Sequence, residues 1–118
     1  MARVAIAINS LLGSKNPAYT AALTVTSGDA SNDHEWALQR GDMLYIENTD
    51  ASSHTANVIA VADPTGRTED VNLTGFAAGA RLVMGPFNAE GWAQTDGKVQ
   101  VNVDHASFRL AVLRPPAN

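Results

Sequence analysis

The sequence predicts an all-β domain: a single antiparallel β-sandwich of jelly-roll type, or a small barrel, with an extended N-terminal segment. Three observations predict it. Apolar residues recur with a period of two rather than 3.6, the alternating runs are short, and Gly, Pro, Asn and Asp interrupt them at spacings of roughly 8–12 residues. At 118 residues the chain has room for one core and not for two. The organisation read from it is an N-terminal strand or arm over 1–20, a sandwich domain over 21–114 and a tail over 115–118.

The elements follow in order. "RVAIAIN" at 3–9 places Val4, Ile6 and Ile8 on one face with alanines opposite. "NSLLGSKNPAY" at 9–19 has no period; its Leu11 and Leu12 suit either an arm laid on a neighbouring subunit or a plug in the core. "ALTVTSG" at 22–28 sets Leu23 and Val25 against Thr24 and Thr26. "SNDHEWALQRG" at 31–41 admits two readings. Asn32, Glu35 and Gly41 would cap a two-turn helix. His34, Trp36 and Leu38 alternating with Glu35, Ala37 and Gln39 make a strand, with Arg40-Gly41 as a hairpin turn, and the marginal stability of so short a helix favours the strand.

"DMLYIEN" at 42–48 is apolar on both faces, as a strand covered on both sides would be. "TANVIAVAD" at 55–63, "DVNLTG" at 70–75 and "ARLVMG" at 80–85 follow, with Val58 to Ala62 expected as strand and Pro64 to Thr68 as its exit loop. "KVQVNVD" at 98–104 is the clearest alternation: Val99, Val101 and Val103 point one way and Lys98, Gln100, Asn102 and Asp104 the other. Asp96-Gly97 before it carries the hairpin signal of a two-residue turn needing positive φ. "SFRLAVLR" at 107–114 closes the series, and "RPPAN" reads as a frayed tail.

Composition narrows the function. A net charge of −4 and eight scattered Lys and Arg argue against a nucleic-acid partner. No run approaches the ~20 apolar residues of a membrane span. The short, alternating N-terminus lacks the features of a signal peptide, so synthesis in the cytoplasm is expected. There are no cysteines, which removes disulfides, thiolate metal sites and Cys nucleophiles.

The chemically suggestive residues are then weighed one by one. Asp63, in "DPTGRTED", has the setting of a phosphorylated aspartate. Such an enzyme also needs a carboxylate cage for Mg²⁺, a phosphate-binding lysine and a parallel sheet, and Lys15 and Lys98 are the only lysines. Pro64 and Gly66 instead make Asp63 a turn residue, so Asp63→Asn should cost little beyond a turn hydrogen bond. His34, His54 and His105 are far apart and form no metal-binding spacing; no metal or cofactor is expected. Ser53, His54 and Asp50 supply the residue types of a hydrolytic triad without its usual sequence context. "TGFAAGA" at 74–80 lacks the Lys and helix of a phosphate loop. Trp36 and Trp92 are the candidates for a glycan platform, and packing is the expected role of each. No catalytic residue is assigned.

The pieces Asn48-Thr49, Ser53-His54-Thr55, Asp63 to Thr68, Ala78-Gly79, Gly85-Pro86-Phe87, Gly91-Trp92, Asp96-Gly97 and Ala111 to Arg114 stand in an order that resembles a family of small tailed-bacteriophage virion proteins. The resemblance covers residues ~40–116. It implies a non-enzymatic structural protein of the phage particle, specifically a capsid decoration or cement protein on the outer capsid surface. The implied partner is the major capsid protein, with a homo-oligomer, a trimer by preference, as the working form. Contact candidates are Leu11, Leu12, Asn16 and Tyr19 in the N-terminal segment, Arg67 in the loop after Asp63, Trp92, and Arg114 before the tail. The alternatives are a head–tail or tail component, or a glycan- or receptor-binding sandwich.

Overall fold

Val99, Val101 and Val103 of β9 (Lys98–Val103) are buried and their intervening neighbours are not, as alternation on a one-sided strand requires. The same alternation builds β4 (His34–Ala37), β5 (Met43–Asn48) and β6 (His54–Val58). β7 (Val71–Phe76) alternates between half-buried and exposed, and β8 (Arg81–Met84) buries none of its residues. β10 (Phe108–Arg114) buries Phe108 and then Leu110, Ala111 and Val112 in a row. β1 (Val4–Ala5), β2 (Ile8–Ser10) and β3 (Thr26–Ser27) are shorter. The computed structural model describes residues 3–10, 23–62 and 69–115. Leu11, Leu12, Asn16, Tyr19, Arg67, the loop around Asp63 and the last three residues of the tail lie outside them.

Two sheets face each other, ordered β1-β4-β9-β6-β7 and β2-β10-β5-β8, with β3 also on β10. From β3 onward the antiparallel pairs nest: β3 with β10, β4 with β9, β5 with β8, β6 with β7. One long hairpin rolled across two sheets has this order, and it is the jelly roll. The first strand departs from the antiparallel expectation. Residues 4–5 pair parallel with β4 in one sheet, and residues 8–10 pair parallel with β10 in the other. Ile6, at the crossing, is buried between the sheets. Residues 3–10 are therefore part of the sandwich rather than a projecting arm.

The core is filled by Trp36, Leu44, Ile46, Val58, Val99, Val101, Phe108, Leu110 and Val112. Within residues 31–41 the strand reading holds over His34–Ala37, with His34 and Trp36 turned inward, and turns flank it on both sides. Four expectations change. Arg40-Gly41 does not close a hairpin: β4 and β5 belong to different sheets, and the turn between them is a corner. Asp96-Gly97 makes a tight turn in which Gln94 and Lys98 are bonded, but no strand precedes it. Strand pairing ends at Val58, because the next amides find separate partners: Ile59 on the Gln100 carbonyl, Ala60 on the Asp70 carboxylate and Val61 on the Gly91 carbonyl. Leu23 and Val25 are exposed, since pairing on that segment is confined to Thr26 and Ser27.

The outer faces differ in character. Outside β4, β9, β6 and β7 stand Glu35, Lys98, Gln100, Asn102, Asn57 and Asn72. Outside β5, β8 and β10 stand Met43, Tyr45, Val83, Ala111 and Leu113, with Glu47, Arg81 and Arg109 at one end.

Candidate functional site

Both ends of the sandwich are built around a buried polar side chain, and one of them gathers titratable groups that the chain keeps apart. At that end Asn48, fully buried, terminates β5. Its amide nitrogen donates to the carbonyls of Ser52 and Phe76, at 2.9 and 3.0 Å. Its side-chain oxygen accepts from the Asp50 amide and the Ser107 hydroxyl, at 3.0 and 3.1 Å. Three corners, at 49–53, 77–80 and 104–107, are thereby tied to one residue.

Those corners carry Asp50, Asp104 and His105, and His54 opens β6 directly after the first of them. The Asp50 Oδ2 lies 2.6 Å from Nε2 of His54 and 4.0 Å from Nε2 of His105. On the other side of the His54 ring, Nδ1 is 3.8 Å from Asp104 Oδ1. The two imidazoles stack, with centroids 3.9 Å apart and planes 9° from parallel, and Phe108 meets His54 edge-on from the core. The His54 hydrogen bond comes first among the influences that hold the Asp50 carboxyl below its ordinary value, followed by the Ala51 amide. The Ser107 amide donates to Nδ1 of His105, which leaves that ring's proton on Nε2, facing Asp50.

The hydrolytic triad is not assembled. His54 turns both ring nitrogens toward carboxylates, and Nε2, the atom that would activate a serine hydroxyl, is taken by Asp50. His34 takes no part. It is fully buried, accepts the Asp29 amide at Nε2 and donates from Nδ1 to the Val4 carbonyl. His54 and His105 nevertheless meet, although their sequence separation had concealed it. Long-range pairing of β6 with β9, which sets Ala56 beside Val103, brings His54 to the corner that carries His105, and no local spacing announces such a site.

The opposite end is structural. Asp42, fully buried, receives both Arg114 nitrogens, Nε on Oδ1 and an Nη on Oδ2, each at 2.9 Å. Its Oδ2 also accepts the Trp36 indole N–H and the Gln39 amide. Burial pushes the Asp42 carboxyl up, but the Arg114, Gln39 and Trp36 bonds outweigh it and hold it below its ordinary value. Arg114 is thus engaged within the chain. Trp92 packs edge-to-face on Phe87, centroids 5.3 Å apart, and Phe87 meets Trp36 in the same way at 5.6 Å. Trp36 is buried and Trp92 half-buried, so neither presents a free glycan platform. An open cleft of about 290 Å³ beside β1 has Glu35, Lys98 and Arg114 on its rim, and each is already ion-paired.

Comparison with protein-family models, with curated proteins and with solved structures gives no match.

Proposed function

We propose that this chain is a non-enzymatic structural protein of a phage particle, a decoration protein that binds the outer capsid surface and stabilises the shell. The observation that carries the reading is the two-sidedness of the sandwich. The face outside β4, β9, β6 and β7 is mostly polar, with Ala37 a small exception, and suits water. The face outside β5, β8 and β10 carries Met43, Tyr45 and Leu113, each half-buried, and Val83, which is half exposed. Apolar side chains displayed across one sheet suit a docking surface with a polar rim. The resemblance to small virion proteins and the jelly-roll order support the same reading, though fold alone assigns no role.

The partner is the major capsid protein. A symmetric oligomer, a trimer by preference, would repeat a modest contact several times and gain by avidity. Binding only the assembled shell stabilises that shell by mass action and requires no active site. The pieces that carry the resemblance have structural duties here: Gly85-Pro86-Phe87 and Gly91-Trp92 supply the aromatic plug at one end, and Asn48 the knot at the other.

The experiment is co-sedimentation of the purified chain with shells that lack it, followed by heat or osmotic challenge. The reading predicts co-pelleting and greater survival of the decorated shells. A chain that stays in the supernatant, and leaves shell survival unchanged, contradicts it. Binding to isolated tails or head–tail connectors in place of shells would move the chain to another part of the particle.

A further inference from the structure

We propose that Asp50, His54 and His105 form a binding site for one divalent transition-metal ion of the zinc class. One donor atom from each residue lies within 4.8 Å of the other two. Two imidazoles and a carboxylate are a donor set for zinc and its neighbours, whereas magnesium and calcium prefer oxygen alone.

The geometry is close to what such an ion requires. Both imidazoles direct Nε2 toward the same carboxylate oxygen, at 2.6 Å from His54 and 4.0 Å from His105. A tetrahedral ion with bonds of about 2.0–2.1 Å holds its donors about 3.3 Å apart, so the two distances bracket the target. The site also has an outer carboxylate. When the ion takes His54 Nε2, the ring proton moves to Nδ1, and Asp104 Oδ1, 3.8 Å away and already accepting the Thr55 amide, must close by about 1 Å to accept it in a hydrogen bond. The corners that bring these residues together are tied by a fully buried Asn48, so the scaffold exists before the ion arrives.

One rearrangement accompanies loading. Ring-nitrogen lone pairs lie in the ring plane, and two parallel planes 3.9 Å apart do not converge on one ion. His105 must turn, giving up its stack on His54 and the Ser107 amide bond at Nδ1, which then carries the ring proton. Its side chain is 46% exposed, so it has room to turn and water replaces the lost bond. Three protein donors then leave the fourth position to water. The ion would staple the corner after β5 to the corner after β9.

The test is calorimetric titration of the tag-free full chain with zinc chloride at neutral pH, with thermal melting and NMR of the histidine rings alongside. The expected result is one ion per chain with a dissociation constant below about 100 μM and a raised melting temperature. His105→Ala and Asp50→Asn should each weaken binding by about ten-fold or more. Ring signals of His54 and His105 should shift on zinc addition while those of His34 stay in place, a readout that needs no variant. No heat and no melting shift at about 100 μM zinc would overturn the proposal. So would unchanged affinity in a folded His105→Ala, or ring shifts that spare His54 and His105.

Discussion

Asp42 and His34 each bury a titratable group without wasting a hydrogen bond, and they set how the molecule responds to mutation and to acid. Asp42 is stable as an ion because Arg114, Trp36 and the Gln39 amide all donate to it. Arg114→Met removes the charge and leaves the carboxylate buried, so it should destabilise the fold by about 3–5 kcal/mol in urea unfolding. For His34, burial holds the imidazole below its ordinary value of 6.5, against the opposing pull of the Val4 carbonyl and of Asp29 and Asp33. The unfolded chain then binds the proton more readily than the folded one. His34 therefore contributes fully above about pH 6.5, and its contribution falls as pH drops through that value toward its folded pKa. Asp42 has the same sign at lower pH: its contribution is present above 3.8 and is lost as pH falls through its folded value. Melting temperature should decline in two acid steps, and NMR titration of the ring nitrogens should assign the first to His34. A flat profile between pH 7.5 and 5.5 would contradict this role for His34.

At the scale of elements, the strands carry the alternation and the corners carry the polar knots. Gly28 sits where β3 approaches the corner after β9; a Cβ there would meet the His105 carbonyl oxygen at 2.7 Å. Gly28→Ala must shift backbone and should cost about 1–3 kcal/mol, read as a lowered melting temperature. Asn48→Ala strips partners from several groups at once, at about 1–3 kcal/mol for each one that water cannot reach. It should also loosen all three corners together, which hydrogen exchange at residues 49–53, 77–80 and 104–107 would register. β9 was legible in the sequence because it buries alternate residues against one core. β5, apolar on both faces, was expected to be covered on both sides; instead it fully buries only Leu44, Ile46 and Asn48, while Met43, Tyr45 and Glu47 stay half-buried. Leu23 and Val25 misled because the same alternation continues past the last paired residue, where pairing with β10 stops at Thr26. Arg40-Gly41 misled because a corner and a hairpin use the same turn residues; which one forms depends on the sheet each strand joins.

The described residues form a rolled hairpin with one mostly polar face and one face that is apolar with a charged end. The all-β class was readable from period and punctuation. The nested order was not, since pairs such as β3 with β10 join the two ends of the chain and leave no local mark. The candidate site was hidden for the same reason: His54 and His105 meet only because β6 and β10 are brought to one end. Arg114, expected as a contact, is also an internal partner of Asp42, and nothing local distinguishes a surface arginine from one folded back onto a buried acid. The proposed docking on a shell uses the face bearing Tyr45 and Val83. Val83→Asp places a charge on the most exposed apolar residue of that face, on the edge strand β8, where the fold should tolerate it. The most direct measurement is co-sedimentation of wild type and Val83→Asp with undecorated shells, after circular dichroism has shown matching folds. The account predicts that wild type pellets with the shells and Val83→Asp remains in the supernatant. Equal pelleting of the two, or no pelleting of either, would contradict it.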